Sequence, residues 1–213
     1  MKTAPLTYEA EWWVQGVTRI AGLDEAGRGA WAGPVVAAAV ILPAQRPDLS
    51  ALLHGVCDSK ECSPEQREAL FPVVWRVAVA AGVGAASPRE VEELNVVGAT
   101  RLAMMRALAC LRVAPDALLI DGKRLRLDSP LPQQSLLAGD RHSLSVAAAS
   151  ILAKVSRDRM MREAHKDYPQ YGFGQHKGYG TAQHQAALET CGPCLLHRRT
   201  YGPIRALLEG AGA

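Results

Sequence analysis

Apolar and polar positions along the chain alternate between short apolar runs and longer stripes at helical spacing. Thr18 to Leu23 is an apolar run that reads as a strand delivering Asp24 and Glu25 to its end, and a glycine-rich turn follows. Val35 to Leu42 is nearly continuous in apolar residues and reads as a second, buried strand. Pro43 to Ser50 reads as a loop with two prolines. Ser63-Pro64-Glu65-Gln66 and Ser87-Pro88-Arg89-Glu90 are two helix starts of one kind, each with an N-cap serine, a proline at the first helical position and a capping-box partner. A strand is expected between them, within Val73 to Ala86. Leu102, Met105, Leu108 and Ala109 share one face, so Asn95 to Leu111 reads as an amphipathic helix. Ala117 to Ile120 is a short apolar run ending in Asp121-Gly122, and Gln134 to Ala138 reads as another short strand before Gly139-Asp140. Ser143 to Ala164 reads as a long helix in which Ala147 to Ala149 permit close packing. Glu9 to Gly16, Thr181 to Thr190 and Ile204 to Leu208 complete the expected helices, with Trp12 and Trp13 placed to pack on the core.

Strands alternating with helices predict an α/β fold with a mixed sheet. A length of 213 residues suits one domain, with an α/β core over about 17–165 and a helical part over about 166–213. Apolar residues make up 48%, ample for a core, while aromatic residues make up only 5%. No run approaches a membrane span, and the first residues carry Glu9 and Glu11 in place of a signal peptide's apolar stretch, so a cytoplasmic protein with no membrane partner is expected. Charge is uneven. Residues 1–121 hold 11 Lys/Arg against 14 Asp/Glu, and residues 122–213 hold 13 against 7. That asymmetry permits a polyanion-binding face in the second half.

The five cysteines argue against a disulfide framework. Cys191-Gly-Pro-Cys194 has the residues of a thioredoxin-type redox motif, but such a motif acts at a helix N-terminus, where the dipole favours a thiolate. Here it follows a helical run, so Gly192 and Pro193 read as a helix stop. A zinc site on Cys191, Cys194 and His197 lacks an evident fourth ligand.

Asp24, Glu25, Asp121 and Asp140 all fall where strand ends meet loops, the usual place for sites in α/β folds. Adjacent acids beside apolar runs are costly unless they are protonated, hydrogen-bonded or holding a cation. Neighbours on a strand point to opposite faces, so Asp24 and Glu25 can share one cation only where the strand ends or distorts. Gly27 and Gly29 allow such a turn and a close backbone approach to a ligand. As plain alternatives, Asp24 and Glu25 are solvated acids of a hairpin turn, Asp121-Gly122 is an ordinary turn and Asp140 helps cap the next helix. Asp158 is a competing fourth acid, although the spacing of Lys154, Asp158 and Arg162 gives it a salt-bridged helix face instead.

Gly22-Leu-Asp-Glu-Ala-Gly-Arg-Gly29 and Gly33-Pro-Val-Val36 resemble the opening motif of the bacterial ribonuclease HII family. Asp58-Ser-Lys60, Ile120-Asp-Gly122, Gly139-Asp140, the run Ser145 to Asp158, Phe173 to Thr181, His184 and His197-Arg-Arg199 extend the resemblance in order, from about Trp12 to Pro203. It implies a ribonuclease H-like mixed sheet flanked by helices with a C-terminal helical part. It also implies an endonuclease acting on RNA/DNA hybrids and on ribonucleotides embedded in duplex DNA. Asp24, Glu25, Asp121 and Asp140 would then hold two divalent cations, Mg²⁺ or Mn²⁺, which suit all-oxygen ligands. Gly27, Arg28, Gly29 and Tyr179 would read the 2′-hydroxyl. Lys60, Lys177 and Lys154 would contact phosphates. His176 and His184 are open to either a structural or a functional role.

The chain departs from the family pattern at Ala30-Trp31, Glu61-Cys62 and Thr200-Tyr201, none of them an expected ligand. The related ribonuclease HIII family carries an additional N-terminal domain, and only 23 residues precede Asp24 here. A binding module without catalysis is the rival of another class, opposed by four intact acids. A monomer is expected. The Gly210-Ala-Gly-Ala213 tail shows no apolar-aromatic docking motif for a sliding clamp.

Overall fold

A computed structural model describes residues 2–44 and 46–210; the last three residues of the tail lie outside it. Five strands form one mixed sheet in the order β3-β2-β1-β4-β5. They are β1 (Ile20–Ala26), β2 (Val35–Ile41), β3 (Ala80–Ala86), β4 (Ala117–Asp121) and β5 (Gln133–Leu136). The pairs β1–β2 and β2–β3 are antiparallel, while β1–β4 and β4–β5 are parallel. The helices are α1 (Thr7–Val14), α2 (Leu49–Leu52), α3 (Pro64–Val77), α4 (Pro88–Ala109), α5 (Leu144–Asp167), α6 (Phe173–His176), α7 (Ala182–Cys191) and α8 (Gly202–Gly210).

The continuous apolar run of β2 is explained by burial on both faces. Ala38 and Val40 point into a core with α5 and α3, and Ala37, Ala39 and Ile41 point into a second core with α4. Small residues bring α5 onto the sheet: a Cβ on Gly22 would lie 2.3 Å from the backbone of Ser145. A third cluster (Ala32, Met161, Tyr171, Phe173, Leu188 and Ile204) holds the C-terminal helices against the end of α5.

Both expected capping boxes are present, Ser63 with Gln66 and Ser87 with Glu90; removing such a cap costs about 1 kcal/mol. The strand expected within Val73 to Ala86 is β3, which starts at Ala80 because α3 runs through Val77. The expected loop ends early, at Leu49, where α2 begins. The α4 segment starts at Pro88 and is broken at Asn95, whose backbone is left-handed (φ 57°) and whose side chain accepts from the Val97 and Gly98 N–H groups as an internal cap. Glu9 of α1, 1% exposed, accepts from the Ser143 and Ser145 hydroxyls and the Ser145 N–H at the start of α5. A buried carboxylate thus serves as a long-range helix cap.

Candidate active site

The four expected acids meet in one cleft of about 620 Å³, which Gly27 to Gly29, Lys60, Lys154 and Tyr179 also line. Contrary to the expectation of a strand ending at Leu23, β1 runs on through Asp24 and Glu25 to Ala26. The reason is asymmetric pairing. On the β2 side the ladder continues to Ala26 opposite Val36, whereas on the β4 side it stops at Leu23 opposite Ile120. The next positions, Asp24 and Asp121, stand side by side at the fork where the two strands part. One carboxylate oxygen each from Asp24, Glu25 and Asp121 lies within 4.8 Å of the others. Asp140 reaches the same cleft from the 3₁₀ turn Gly139–Arg141, beside Asp58.

These carboxylates are poorly compensated. Burial, then the charges of Glu25 and Asp121, hold Asp24 well above the usual carboxylate range, although a Ser150 hydrogen bond opposes the shift. Burial also raises Glu25 against the pull of the Arg28 guanidinium, 3.1 Å from Oε1. Its other oxygen, Oε2, is buried with no hydrogen-bond partner. Asp121 is raised by burial despite accepting the Gly139 N–H at 2.6 Å. Burial and the neighbouring Asp58 and Asp121 carboxylates push Asp140 up to about 7. Asp58 itself goes the other way: burial would raise it, but the Lys60 N–H at 2.9 Å, the hydrogen bond with Asp140 and the nearby Lys60 and Arg141 cations lower it. An orphaned carboxylate oxygen, four oxygen-donor side chains and repulsion among them fit a hard divalent cation.

The glycine turn is held from behind by two fully buried arginines. Arg157 of α5 donates to the carbonyls of Pro34 (3.0 Å), Lys177 (3.0 Å) and Ala32 (3.1 Å). Arg198 donates to those of Gly33 (2.8 Å) and Arg28 (2.9 Å) and to the Tyr201 hydroxyl (2.9 Å). Gly27 is required by this packing: its φ is +92°, and a Cβ would sit 1.9 Å from Arg157 Nε. Gly29 is different, since a Cβ there would meet nothing within 4 Å. The protein's own packing does not demand glycine at position 29, which lines the cleft.

Tyr179 projects beside this turn, with the Arg157 guanidinium 5.2 Å and the Lys154 ammonium 5.6 Å from its ring centre. Lys177 does not line the cleft. Its ammonium donates back to the Gly174 and Gln175 carbonyls. Lys154 pairs with Asp158 at 2.7 Å as the spacing predicts, but Arg162 pairs with Glu68 of α3, not with Asp158. Asp158 is outside the cleft lining. Trp31, the departure beside the glycine turn, donates its backbone N–H to the Gly178 carbonyl at 2.8 Å and lays its ring over Gly180. Sequence reasoning missed Arg157 as an organiser, because its three acceptors are distant carbonyls that leave no local pattern. Cys191 ends α7 instead of starting a helix, and both His197 nitrogens are engaged, at Cys194 N and at His184.

The fold is that of solved ribonucleases H. It matches the ribonuclease H2 of Pyrococcus horikoshii with a TM-score of 0.76 and 26% identity, covering 90% of this chain and 98% of that one. Fold and carboxylate cleft thus define an endonuclease of the ribonuclease H class. The family model for ribonuclease HII matches residues 21–201. The ribonuclease HII of Syntrophotalea carbinolica is 52% identical over 205 residues, spanning 96% of this chain and 95% of its own. That of Geobacillus kaustophilus is 50% identical over 206 residues, spanning 97% and 76%. The chain belongs to the ribonuclease HII family.

Proposed function

We propose that the protein hydrolyses the RNA strand of RNA/DNA hybrids and cuts on the 5′ side of ribonucleotides embedded in duplex DNA, leaving a 3′-hydroxyl and a 5′-phosphate. The observation that carries this reading is a single cleft joining the Asp24–Glu25–Asp121 cluster to a glycine turn with open space over Gly29. Asp24, Glu25, Asp121 and Asp140 are the residues to hold two divalent cations, Mg²⁺ or Mn²⁺. Such a pair, when bound, activates the attacking water and stabilises the departing oxygen.

The remaining residues bind and orient. The backbone of Gly27 to Gly29 can approach a sugar edge closely because position 29 carries no side chain, and the 2′-hydroxyl is the group that separates ribose from deoxyribose. Tyr179 offers a ring face to that sugar. Lys60 and Lys154, which line the cleft, supply cations for phosphates, contacts that place a duplex without reading its sequence. The Arg28 side chain offsets Glu25 charge at the turn's mouth. Among the described residues no helix is long and apolar enough to cross a membrane.

The test is a duplex DNA carrying one ribonucleotide, incubated with Mg²⁺ or Mn²⁺. A cut on the 5′ side of the ribonucleotide that disappears in Asp24→Asn is the expected result. Binding without cleavage under both metals would overturn the reading.

A further inference from the structure

Three histidines stand behind the cleft without lining it. His176 ends α6, His184 lies in the first turn of α7, and His197 follows α7. The rings of His176 and His184 stack at 4.4 Å and 14°, and those of His184 and His197 are 5.2 Å apart. His184 and His197 are 0% and 2% exposed.

Their hydrogen bonds fix every proton. The Cys194 N–H donates to His197 Nδ1 at 2.9 Å, so that nitrogen is an acceptor and the ring proton sits on Nε2. His197 Nε2–H then donates to His184 Nε2 at 3.0 Å. His184 must therefore carry its proton on Nδ1, which donates to the Tyr179 carbonyl at 3.0 Å. Separately, the Gly178 N–H donates to His176 Nδ1 at 3.2 Å, and His176 Nε2–H donates to the Tyr171 carbonyl at 2.6 Å. One set of tautomers satisfies all five bonds, and each ring must be neutral, since a second ring proton would face an N–H. Burial acts in the same direction on all three, lowering His176 and His184 and bringing His197 to about 4.

The two chains of bonds end on adjacent backbone groups, the Gly178 N–H and the Tyr179 carbonyl. This stretch needs holding, because Lys177 is left-handed (φ 55°) and Gly178 follows at φ 80°. We propose that His176, His184 and His197 are positioning residues that fix the backbone on both sides of Tyr179 and so set its ring in the cleft. The inference rests on the reading of Tyr179 as the residue against the ribose.

The test compares His184→Asn with His184→Gln in single-turnover cleavage of the ribonucleotide-containing duplex. Asparagine places an amide N–H near the Nδ1 position and keeps the donor to Tyr179, while glutamine carries its amide outward and loses it. Asparagine is expected to retain the wild-type rate within about 3-fold and glutamine to lose about 10-fold or more. In a Tyr179→Ala background the glutamine change should have less than about 2-fold further effect, because its route to the substrate is gone. Equal losses in both variants, or losses that multiply in that background, would overturn the relay. Tyr179→Ala with an unchanged rate removes Tyr179 from the site and the proposal with it. A slow Tyr179→Ala beside an intact His184→Gln overturns the relay alone. Should His184→Gln fail to fold, imidazole nitrogen resonances of the unaltered protein decide: His184 protonated on Nδ1 and the other two on Nε2 is expected, and any other pattern refutes it.

Discussion

Two clusters of buried charge flank the glycine turn, and they are built in opposite ways. Arg157 and Arg198, both fully buried, donate between them to backbone carbonyls from 28 to 34, to Lys177 and to Tyr201, so their desolvation is offset by hydrogen bonds with fixed partners. Asp24, Glu25, Asp121 and Asp140 are crowded together, raised by burial and mutual repulsion, and leave Glu25 Oε2 without a partner. The satisfied cluster is scaffold, because nothing remains for a ligand to add. The unsatisfied one is held at a free-energy cost that only cations or protons relieve. The fold thus uses one set of charges to hold a turn in place and leaves the other set open for chemistry.

The largest expected effect comes from removing one member of each cluster. Asp24→Asn should lower cleavage by roughly 10³-fold or more, since a proposed metal ligand is lost. The same change should stabilise the metal-free fold by about 1–2 kcal/mol, a Tm rise of about 3–6 °C at this chain length. Asn keeps an acceptor for the Glu25 N–H, now at 2.7 Å from Asp24 Oδ1, while removing the repelled charge. Arg157→Met should do the reverse to stability, costing about 3 kcal/mol by stranding three buried carbonyls. Thermal unfolding without divalent cations measures both. A destabilised Asp24→Asn would mean that its carboxylate is compensated after all, and the contrast between the clusters would collapse.

The difference also explains which parts of the molecule were legible. The acids were visible because each closes an apolar run, as at Leu118-Leu119-Ile120-Asp121, and local patterns of this kind survive in one dimension. The capping boxes at Ser63 and Ser87 were visible for the same reason. The extension of β1 past Leu23 was not, because it depends on pairing with Val36, ten residues beyond Ala26 and across a turn. Arg157 was hidden for a stronger reason: its partners are main-chain carbonyls at 32, 34 and 177, which have no side-chain identity to read. Asp158 shows the reverse hazard. Local spacing offered Arg162 as a partner, and tertiary packing gave Arg162 to Glu68 instead.

Acid should separate the acidic cluster from the histidines packed behind the turn. Asp140 has its ordinary value near 3.8 when unfolded and about 7 when folded, so its stabilising contribution is complete below pH 3.8 and is lost as pH rises through 7. His197 goes from 6.5 unfolded to about 4 folded, so its contribution is present above pH 6.5 and is lost as pH falls toward 4. Between pH 4 and 7 the two slopes oppose each other, and they accumulate to about 4 kcal/mol for Asp140 and about 3 kcal/mol for His197. Urea unfolding without divalent cations should therefore show Asp140→Asn losing stability on acidification more steeply than the unaltered protein. His197→Asn should lose it less steeply. Parallel profiles for all three would show that neither group titrates as its surroundings dictate.

The smallest expected effect concerns Lys177, which the family resemblance assigned to phosphate and which lies outside the cleft lining. Its ammonium closes the end of α6 by donating to the Gly174 and Gln175 carbonyls, and burial lowers its proton affinity. A lysine recruited by phosphate would have to give up those bonds, whereas Lys60 already lines the cleft. Lys177→Ala should change duplex affinity by less than about 2-fold and leave the dependence of binding on salt unaltered, because one fewer phosphate contact would lower that slope by about 1. Lys60→Ala, measured in parallel, should lower the slope by about that amount. A drop in slope for Lys177→Ala as well would mean that the ammonium swings out to the duplex. The line between satisfied scaffold and open site would then have to be redrawn on the far side of α6.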